Sequence, residues 1–231
     1  SVYDLEKLKV VVQDNYIEDA NWKLVMENNR ECYHCDVGHP ELISVLGTTG
    51  FGKDAPDNAA KHEEWRALGI DHDLIEFPDG WWHRIARRAL ANCAVTQSID
   101  GKLACQKLIG PFTAPETSSL SVWTQPNSWH HFCCDHVVTF SLTPISPDKT
   151  LLRTSWLVHE DAVEGVDYDP ERLAALWRKT NEQDGHFSAI NHRGIASDGY
   201  IPGPYAVEEK LVDDFKSFYV DRATAALEKI S

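Results

Sequence analysis

The 231-residue sequence has no long hydrophobic run, no internal repeat and no low-complexity tract, and its basic residues are in the minority. It contains 22 Lys and Arg against 36 Asp and Glu, so the formal net charge is −14. A shortage of positive charge argues against a surface for nucleic acid or for anionic membranes. Without an apolar stretch of about 18 residues, a transmembrane helix is also excluded. We therefore expect no nucleic-acid partner and no membrane partner.

The sequence does not indicate a disulfide-stabilised fold, because its six cysteines show no regular disulfide spacing and no secretory segment accompanies them. This pattern predicts reduced thiols and a cytoplasmic protein. The composition is 42% hydrophobic and 25% charged, which is ordinary for a globular chain. At this length the chain can bury an adequate core, so we treat residues 1–231 as one domain.

The most informative stretch covers residues 21–40, NWKLVMENNRECYHCDVGHP. Its first nine residues predict a helix, because their large apolar members recur at helical spacing. Gly38 and Pro40 predict a break near the end of the stretch. Positions five apart on an ideal helix diverge, so a break is what lets His34 and His39 turn toward one point.

Glu31 precedes His34 by three residues, which makes the two neighbours on one helical face. A carboxylate there can accept a hydrogen bond from the ring nitrogen that does not bind metal, and this fixes the tautomer of the histidine. A pair of solvated histidines at a helix end is the simpler alternative. The acid, the helix break and a distant carboxylate together favour a metal site.

The distant carboxylate is Asp184. Asp169 and Pro170 predict a helix start, with an N-cap followed by proline at the first helical position. Asp184 then falls on the apolar stripe of that helix, where a carboxylate is costly unless it is paired or binds a cation. The alternatives to a metal are a position in a water-lined cleft and pairing with an arginine such as Arg178 or Arg193.

Two histidines and one carboxylate form the ligand set of non-haem iron(II) oxygenases, in which one face of the metal stays open. Zinc can use the same three residue types, so the ligands alone leave the metal open.

The recognisable segments of the sequence are Asn21-Trp22-Lys23, Glu27-Asn28, Glu31-Cys32-Tyr33-His34-Cys35, His39-Pro40, Gln183-Asp184, Gly194, Ser197, Gly203-Pro204 and Glu208. Through these segments the sequence resembles the catalytic domain of Rieske-type non-haem iron oxygenases, and its ENNRECYHC motif is most similar to the branch that acts on quaternary ammonium compounds such as glycine betaine, stachydrine and carnitine. Most ring-hydroxylating members carry aspartate where this chain has Glu31, and glutamate occurs in the carnitine branch.

The resemblance implies a helix-grip fold and iron bound by His34, His39 and Asp184. It implies that Glu31 bridges to the Rieske cluster of a neighbouring subunit in a homotrimer. Electrons would come from NAD(P)H through a flavin and iron–sulfur reductase. The implied reaction is hydroxylation of an N-methyl group with O2, followed by loss of formaldehyde.

A Rieske [2Fe–2S] cluster needs Cys-x-His followed shortly by Cys-x2-His, and no correctly spaced pair of these motifs occurs in this sequence. We therefore expect the cluster domain to lie upstream of this chain.

The remaining patterns predict an α+β layer, with one antiparallel sheet packed on a long C-terminal helix. Strands are expected at 8–14, 74–77, 120–125, 129–143 and 150–159, and helices at 61–68, 170–191 and 207–229. Asp100-Gly101 predicts a hairpin between two further strands. Residues 42–64 read as a loop-rich insertion that could act as a lid.

Eight tryptophans are many for this length. Aromatic faces attract a quaternary ammonium through cation–π interactions. We expect some of Trp123, Trp129 and Trp156 to line the pocket, although Trp81-Trp82 also lie beside the predicted sheet, and each tryptophan taken singly is more often core. A substrate carboxylate would need a donor such as Asn127, His130 or His131. Two other functions stay open: an aromatic ring hydroxylase, and a non-catalytic helix-grip module for a small ligand.

Overall fold

The structure is a computed structural model that describes residues 3–47, 56–70, 75–76 and 83–230. Within these ranges it contains one antiparallel sheet of seven strands in the order β1-β7-β6-β5-β4-β3-β2. The strands are β1 (Leu8–Glu18), β2 (Ile75–Glu76), β3 (His83–Ala89), β4 (Ser118–Thr124), β5 (Ser128–Phe132), β6 (Val137–Ser146) and β7 (Lys149–His159). The first strand therefore pairs with the last, and β2 forms the opposite edge.

Six α-helices accompany the sheet in the described ranges: α1 (Trp22–Asn28), α2 (Cys35–Gly38), α3 (Pro40–Leu46), α4 (Pro56–Ala67), α5 (Pro170–Ile195) and α6 (Lys210–Leu227). The long helix α5 starts as the sequence predicts, because the Asp169 side chain accepts a hydrogen bond from the backbone N–H of Arg172 and Pro170 is the first helical residue. None of the helices described is long and apolar enough to cross a membrane.

The sheet buries both faces. One face packs on α5 and α1, and its core includes Phe140, Trp156 and Leu173. The other face packs on the chain that precedes β3, around Trp65 and Ile70. Alternation of side chains along each strand explains how one sheet serves two cores. This arrangement confirms the predicted α+β helix-grip fold.

The predicted hairpin at Asp100-Gly101 is wrong. Residues 90–117 contain no strand of the sheet, and only Cys105 makes an isolated bridge, to Tyr168. The turn itself forms: Gly101 has a φ of 69°, and Asp100 accepts hydrogen bonds from Ser98 and from the backbone of Lys102. Its flanks bond to other parts of the protein instead of to each other.

Three further expectations need correction. The expected strand 129–143 is two strands, β5 and β6, with a turn at residues 133–136. Strand β3 carries the run RIARRA and was not predicted. The expected insertion at 42–64 is largely helical, in α3 and α4, while residues 48–55 of the suggested lid and Trp81-Trp82 lie outside the described residues.

Candidate metal centre

The two histidines of the motif converge because the chain changes direction twice. Helix α1 ends at Asn28, and the short helix α2 ends at Gly38. His39 then adopts a non-helical conformation, with φ −131° and ψ 62°, before Pro40 starts α3. The predicted break therefore forms, and it turns the His39 ring back toward His34.

The structure brings His34, His39 and Asp184 together. The Nε2 atoms of the two histidines lie 3.0 Å apart, and Asp184 Oδ1 lies 3.2 Å from Nε2 of His34 and 2.9 Å from Nε2 of His39. Neighbouring ligands on one face of an octahedron, with bonds of about 2.1 Å, are about 3.0 Å apart, whereas a tetrahedron gives about 3.4 Å. The three atoms thus form a triangle of the size that a facial octahedral site needs.

The other ring nitrogen of each histidine faces an acceptor. Nδ1 of His34 lies 2.7 Å from Glu31 Oε1, and Nδ1 of His39 lies 2.8 Å from Gln183 Oε1. Gln183 in turn donates from Nε2 to Glu41 Oε2 at 3.0 Å. Because these acceptors hold the proton on Nδ1, the lone pair of each Nε2 is directed at the triangle. The expected Glu31–His34 contact therefore forms, although it forms in a turn and not on a helix face.

The electrostatics of the triangle favour positive charge. Burial, the largest influence, lowers the pKa of His34, but its hydrogen bonds with Asp184 and Glu31 outweigh burial and raise the pKa to about 9. The pKa of His39 is also raised, because Asp184 outweighs burial. Burial raises the pKa of Asp184, yet the two histidines hold it below its usual value. A divalent cation would take the place of the protons that these groups otherwise share.

Phe187 closes one side of the triangle. Its ring centroid lies 5.6 Å from that of His34 and 5.9 Å from that of His39. The ring fits only because residue 38 is glycine: a Cβ built there would lie 2.6 Å from Phe187 Cε2. The sequence therefore needs Gly38 for packing as well as for ending α2.

Sequence reasoning assigned no role to three groups beside the triangle. Asn28 Nδ2 donates to Asp184 Oδ1 at 2.6 Å, and Gln183 orients His39 as described above. Glu18, at the end of β1, lies against the backbone of Gly185. Burial, followed by the charges of Asp184 and Asp19, raises the pKa of Glu18 to about 7. Asn28 and Gln183 belong to the resembling segments, and that was the available signal; Glu18 gave none.

A cavity of about 470 Å³ lies beside Glu31 and His34. Its walls come from α1, from the second half of α5 and from residues 200–212, including Gly203 and Pro204. The hydroxyl of Ser188 in this wall is buried and has no hydrogen-bond partner among the described residues. The C-terminal segment of the resemblance thus lies next to the metal motif.

The three tryptophans named from the sequence are all buried on the face of the sheet that packs on α5. Trp129 stacks on Phe140 with an interplanar angle of 9°. Trp123 donates from Nε1 to Asn29 Oδ1 at 3.2 Å, and the Arg84 guanidinium lies 5.4 Å from its ring centroid. A resident cation therefore already faces Trp123. A substrate-binding role for the three tryptophans stays a prediction.

The expectation that all cysteines are reduced thiols is wrong for one pair. Cys32 and Cys35, which flank His34, form a disulfide. They are close enough because the turn after α1 leads directly into α2. Cys93, Cys105, Cys133 and Cys134 are free, and the last three are buried.

The fold and the site together define a class of protein: a helix-grip domain with a candidate mononuclear metal centre. The chain belongs to the family described as "Ring hydroxylating alpha subunit (catalytic domain)", whose model matches residues 5–225.

Two curated relatives are named glycine betaine monooxygenase oxygenase subunit. The protein from Pseudomonas aeruginosa (strain UCBPP-PA14) is 42% identical over 228 residues, which cover 95% of this chain and 53% of the relative. The protein from Chromohalobacter salexigens is 41% identical over 234 residues, covering 98% and 52%. This chain therefore spans about half the length of the curated relatives that it matches.

The fold is also that of a solved quaternary ammonium Rieske monooxygenase, described in connection with carnitine oxidation. The two share 16% sequence identity with a TM-score of 0.60, over 94% of this chain and 51% of the other. Naphthalene 1,2-dioxygenase from Rhodococcus sp. gives a TM-score of 0.52 at 14% identity, over 93% and 56%. Both likenesses establish the fold alone.

The Gln183 amide gives a first testable prediction. We expect Gln183→Leu to weaken metal binding about 10–100-fold, because His39 loses the acceptor that fixes its ring orientation. Titration of the purified chain with Fe(II) under anaerobic conditions measures the effect. The neighbouring variant Glu182→Gln is the control, since Glu182 is exposed and pairs only with Lys179 among the described residues. Equal affinities for the two variants would contradict the assigned role of Gln183.

Proposed function

We propose that this chain is the catalytic part of a non-haem iron(II) monooxygenase that removes an N-methyl group from a betaine, with glycine betaine the first candidate and stachydrine the second. The observation that carries the proposal is the triangle of two imidazole nitrogens and one carboxylate oxygen. It occurs in a chain that is 41–42% identical to glycine betaine monooxygenase oxygenase subunits.

In this proposal His34, His39 and Asp184 hold the iron. The edge lengths of 2.9–3.2 Å favour octahedral coordination, which also argues for iron over tetrahedral zinc. Iron(II), when bound, supplies the activation of dioxygen. Glu31 and Gln183 keep both histidines in the tautomer that directs Nε2 at the metal. Phe187 covers one side and excludes water from it.

The reaction balances with one O2, two electrons and two protons. A C–H bond of the N-methyl group becomes C–OH, and the second oxygen atom leaves as water. The C–N bond of the hydroxymethyl group then breaks, and its electron pair stays on nitrogen. The hydroxyl proton is released, which gives a tertiary amine and formaldehyde. Electrons come from NAD(P)H through a flavin and iron–sulfur reductase and a Rieske [2Fe–2S] cluster.

We assign the Rieske cluster to a domain outside this chain, because the chain has no correctly spaced Cys-x-His and Cys-x2-His pair. Glu31 is the proposed bridge for electrons from the cluster of a neighbouring subunit in a homotrimer. Its carboxylate touches His34 Nδ1 and is 15% exposed, so it connects the surface to a metal ligand. It also accepts a hydrogen bond from the backbone N–H of Tyr33, which fixes its orientation.

Single turnover tests the proposed activity. We expect the full-length, iron-loaded and reduced protein to release formaldehyde when glycine betaine and O2 are added, and the His34→Ala variant to release none. Stachydrine and carnitine are tested in parallel. The absence of formaldehyde from every betaine, together with diol formation from an arene, would overturn the substrate class. The present chain alone should bind iron but not turn over repeatedly, because its electron source is absent.

Glu31 gives a separate prediction. Glu31→Gln keeps an acceptor for His34 Nδ1, so we expect iron content to be unchanged. The rate of formaldehyde release should fall about 10–100-fold, which is typical of changes to groups that support a metal ligand. Asp36→Asn is the control, because Asp36 is an exposed acid in the same segment. Normal turnover by Glu31→Gln would exclude Glu31 as the bridge.

A further inference from the structure

A buried arginine lies two residues after Asn28, whose side chain touches Asp184. Arg30 is only 3% exposed. Its guanidinium makes two long contacts to neutral amides: Nη1 lies 3.4 Å from Asn29 Oδ1, and Nη2 lies 3.5 Å from Gln125 Oε1. Its Nε has no hydrogen-bond partner among the described residues. A guanidinium offers five donors, so most of the capacity of Arg30 is unused.

The positive charge of Arg30 also lacks a partner of opposite charge among the described residues. In the described part of the chain no carboxylate lies within 4.0 Å of it. The charged group that acts on it is Arg84, and burial together with this like charge lowers the pKa of Arg30 to about 9. A buried cation normally pairs with an anion, because burial removes its hydration. In a protein with a net charge of −14, a buried arginine with no carboxylate partner among the described residues is a local feature that the overall composition does not explain.

Arg30 borders the wall of the sheet that packs on α5. Arg84 and Trp123 are paired across β3 and β4, and the Arg84 guanidinium lies over the Trp123 ring. Asn29 Oδ1 joins this wall to Arg30, since it accepts from both Trp123 Nε1 and Arg30 Nη1. The backbone positions of Arg30 and Asn28 are no more than about 7.6 Å apart, because consecutive Cα atoms are separated by about 3.8 Å. Arg30 is therefore near a residue that contacts Asp184, but it is not one of the three ligand residues.

We propose that Arg30 binds the carboxylate of a zwitterionic betaine, so that the quaternary ammonium end is directed at the metal triangle. The inference rests on the proposed function and adds to it the group that sets substrate orientation. A guanidinium matches a carboxylate with two parallel hydrogen bonds, whereas it repels a quaternary ammonium. Arg30 thus attracts the carboxylate end of the zwitterion and repels its ammonium end.

The donors considered from the sequence fit this role less well. Asn127 already donates from Nδ2 to the carbonyl oxygen of Leu142 at 2.9 Å. His131 stacks on Trp177, and its Nδ1 lies 3.0 Å from Ser121 Oγ. Burial lowers the pKa of both His130 and His131, so they are neutral at pH 7. Of these three candidates and Arg30, only Arg30 carries a positive charge.

Ligand binding to the full-length oxygenase tests the inference without turnover. Calorimetric titrations under anaerobic conditions compare glycine betaine with choline, which has the same trimethylammonium group and no carboxylate. We expect Arg30→Gln to weaken glycine betaine about 100-fold, as the loss of charge-assisted hydrogen bonds implies, and to leave choline unchanged. Arg153→Gln is the matched control, because Arg153 is an exposed arginine on β7. It should change neither affinity.

Arg30→Lys provides the second variant if Arg30→Gln does not fold. It keeps the charge and loses the two-pronged geometry, so glycine betaine should weaken about 10-fold and choline should not. Equal effects on the two ligands, or no effect on either, would overturn the inference while wild-type betaine binding upholds the proposed function. Failure of the wild-type protein to bind any betaine would overturn both.

Discussion

His39→Ala abolishes stoichiometric iron binding: this is the result we expect with the largest effect on function. His39 is 1% exposed, and both of its ring nitrogens are engaged, Nε2 at the triangle and Nδ1 at Gln183. If a four-ligand metal site contributes about 10–16 kcal/mol, one ligand accounts for about 3–4 kcal/mol, which corresponds to about 10²–10³ in affinity. Elemental analysis after anaerobic loading with Fe(II) and gel filtration measures the loss.

His186→Ala is the control for that experiment. His186 is two residues from Asp184 but lies on an exposed side of α5, as its position on the helix predicts. It should retain one iron per chain. Two results would contradict the metal assignment. The first is that the wild-type protein binds zinc in place of iron, and the second is that His39→Ala retains iron at full stoichiometry. The second result would require the metal to bind somewhere other than the triangle.

The convergence of His34, His39 and Asp184 could be predicted because each position depends on a strong local signal. Asp169-Pro170 define the start of α5, and Gly38 and Pro40 define the break. The periodicity of α5 then puts Asp184 on the side that faces the motif. These signals act over a few residues, so they survive in any tertiary context that buries the same faces. That these atoms bind iron stays a prediction.

Long-range polar contacts could not be predicted in the same way. Strand β3 carries three arginines, which disfavours a buried strand from sequence alone. Arg87 is nevertheless buried, because Ile70 O, Ser118 Oγ and Tyr3 Oη accept its hydrogen bonds at 2.7–2.8 Å. These acceptors are 17, 31 and 84 residues away. Local patterns contain no information about such partners.

The failed hairpin at Asp100-Gly101 has the same cause. A two-residue turn signal predicts strands that bond to each other, but the backbone N–H groups of Ala104 and Cys105 donate to one side chain, Asp135 Oδ2, at 2.7 and 3.1 Å. A buried carboxylate about 30 residues along the chain thus replaces the ladder of a hairpin. The backbone at residues 104–105 is therefore held by that carboxylate and not by a strand ladder.

Asp135→Ala gives the largest expected loss of stability. Asp135 is fully buried and, besides the two backbone groups, accepts from Thr96 Oγ1 at 2.5 Å and contacts His136 Nδ1 at 2.8 Å. Removing the carboxylate leaves the two backbone N–H groups buried without an acceptor and leaves Thr96 Oγ1 and His136 Nδ1 with only each other, at 3.3 Å, which costs about 3–5 kcal/mol. This is a large share of the roughly 5–15 kcal/mol that stabilises a domain. Urea unfolding followed by tryptophan fluorescence measures the change.

The same carboxylate predicts a pH dependence with a definite sign. Burial raises the pKa of Asp135, but His136, Thr96 and the backbone of Cys105 outweigh burial and hold it below its usual value. A depressed pKa contributes stability that is present above the unfolded value of about 3.9 and is lost as the pH falls through the folded value. Acid should therefore destabilise the wild-type protein more steeply than Asp135→Ala, which has already lost this contribution.

Asp148→Ala is the control for Asp135→Ala, because it shows whether the loss of stability is specific to Asp135 or follows from removing any aspartate that accepts a hydrogen bond. Asp148 also accepts a serine hydroxyl, from Ser146 at 2.5 Å, but it does so in the exposed turn between β6 and β7. Its removal should leave the urea midpoint unchanged, since water replaces the lost acceptor. If Asp135→Ala also left the midpoint unchanged, trapped water would have to satisfy the buried amides of Ala104 and Cys105 in its place. Protection of the Ala104 and Cys105 amides from hydrogen exchange distinguishes the cases, because only a carboxylate anchor loses that protection in Asp135→Ala.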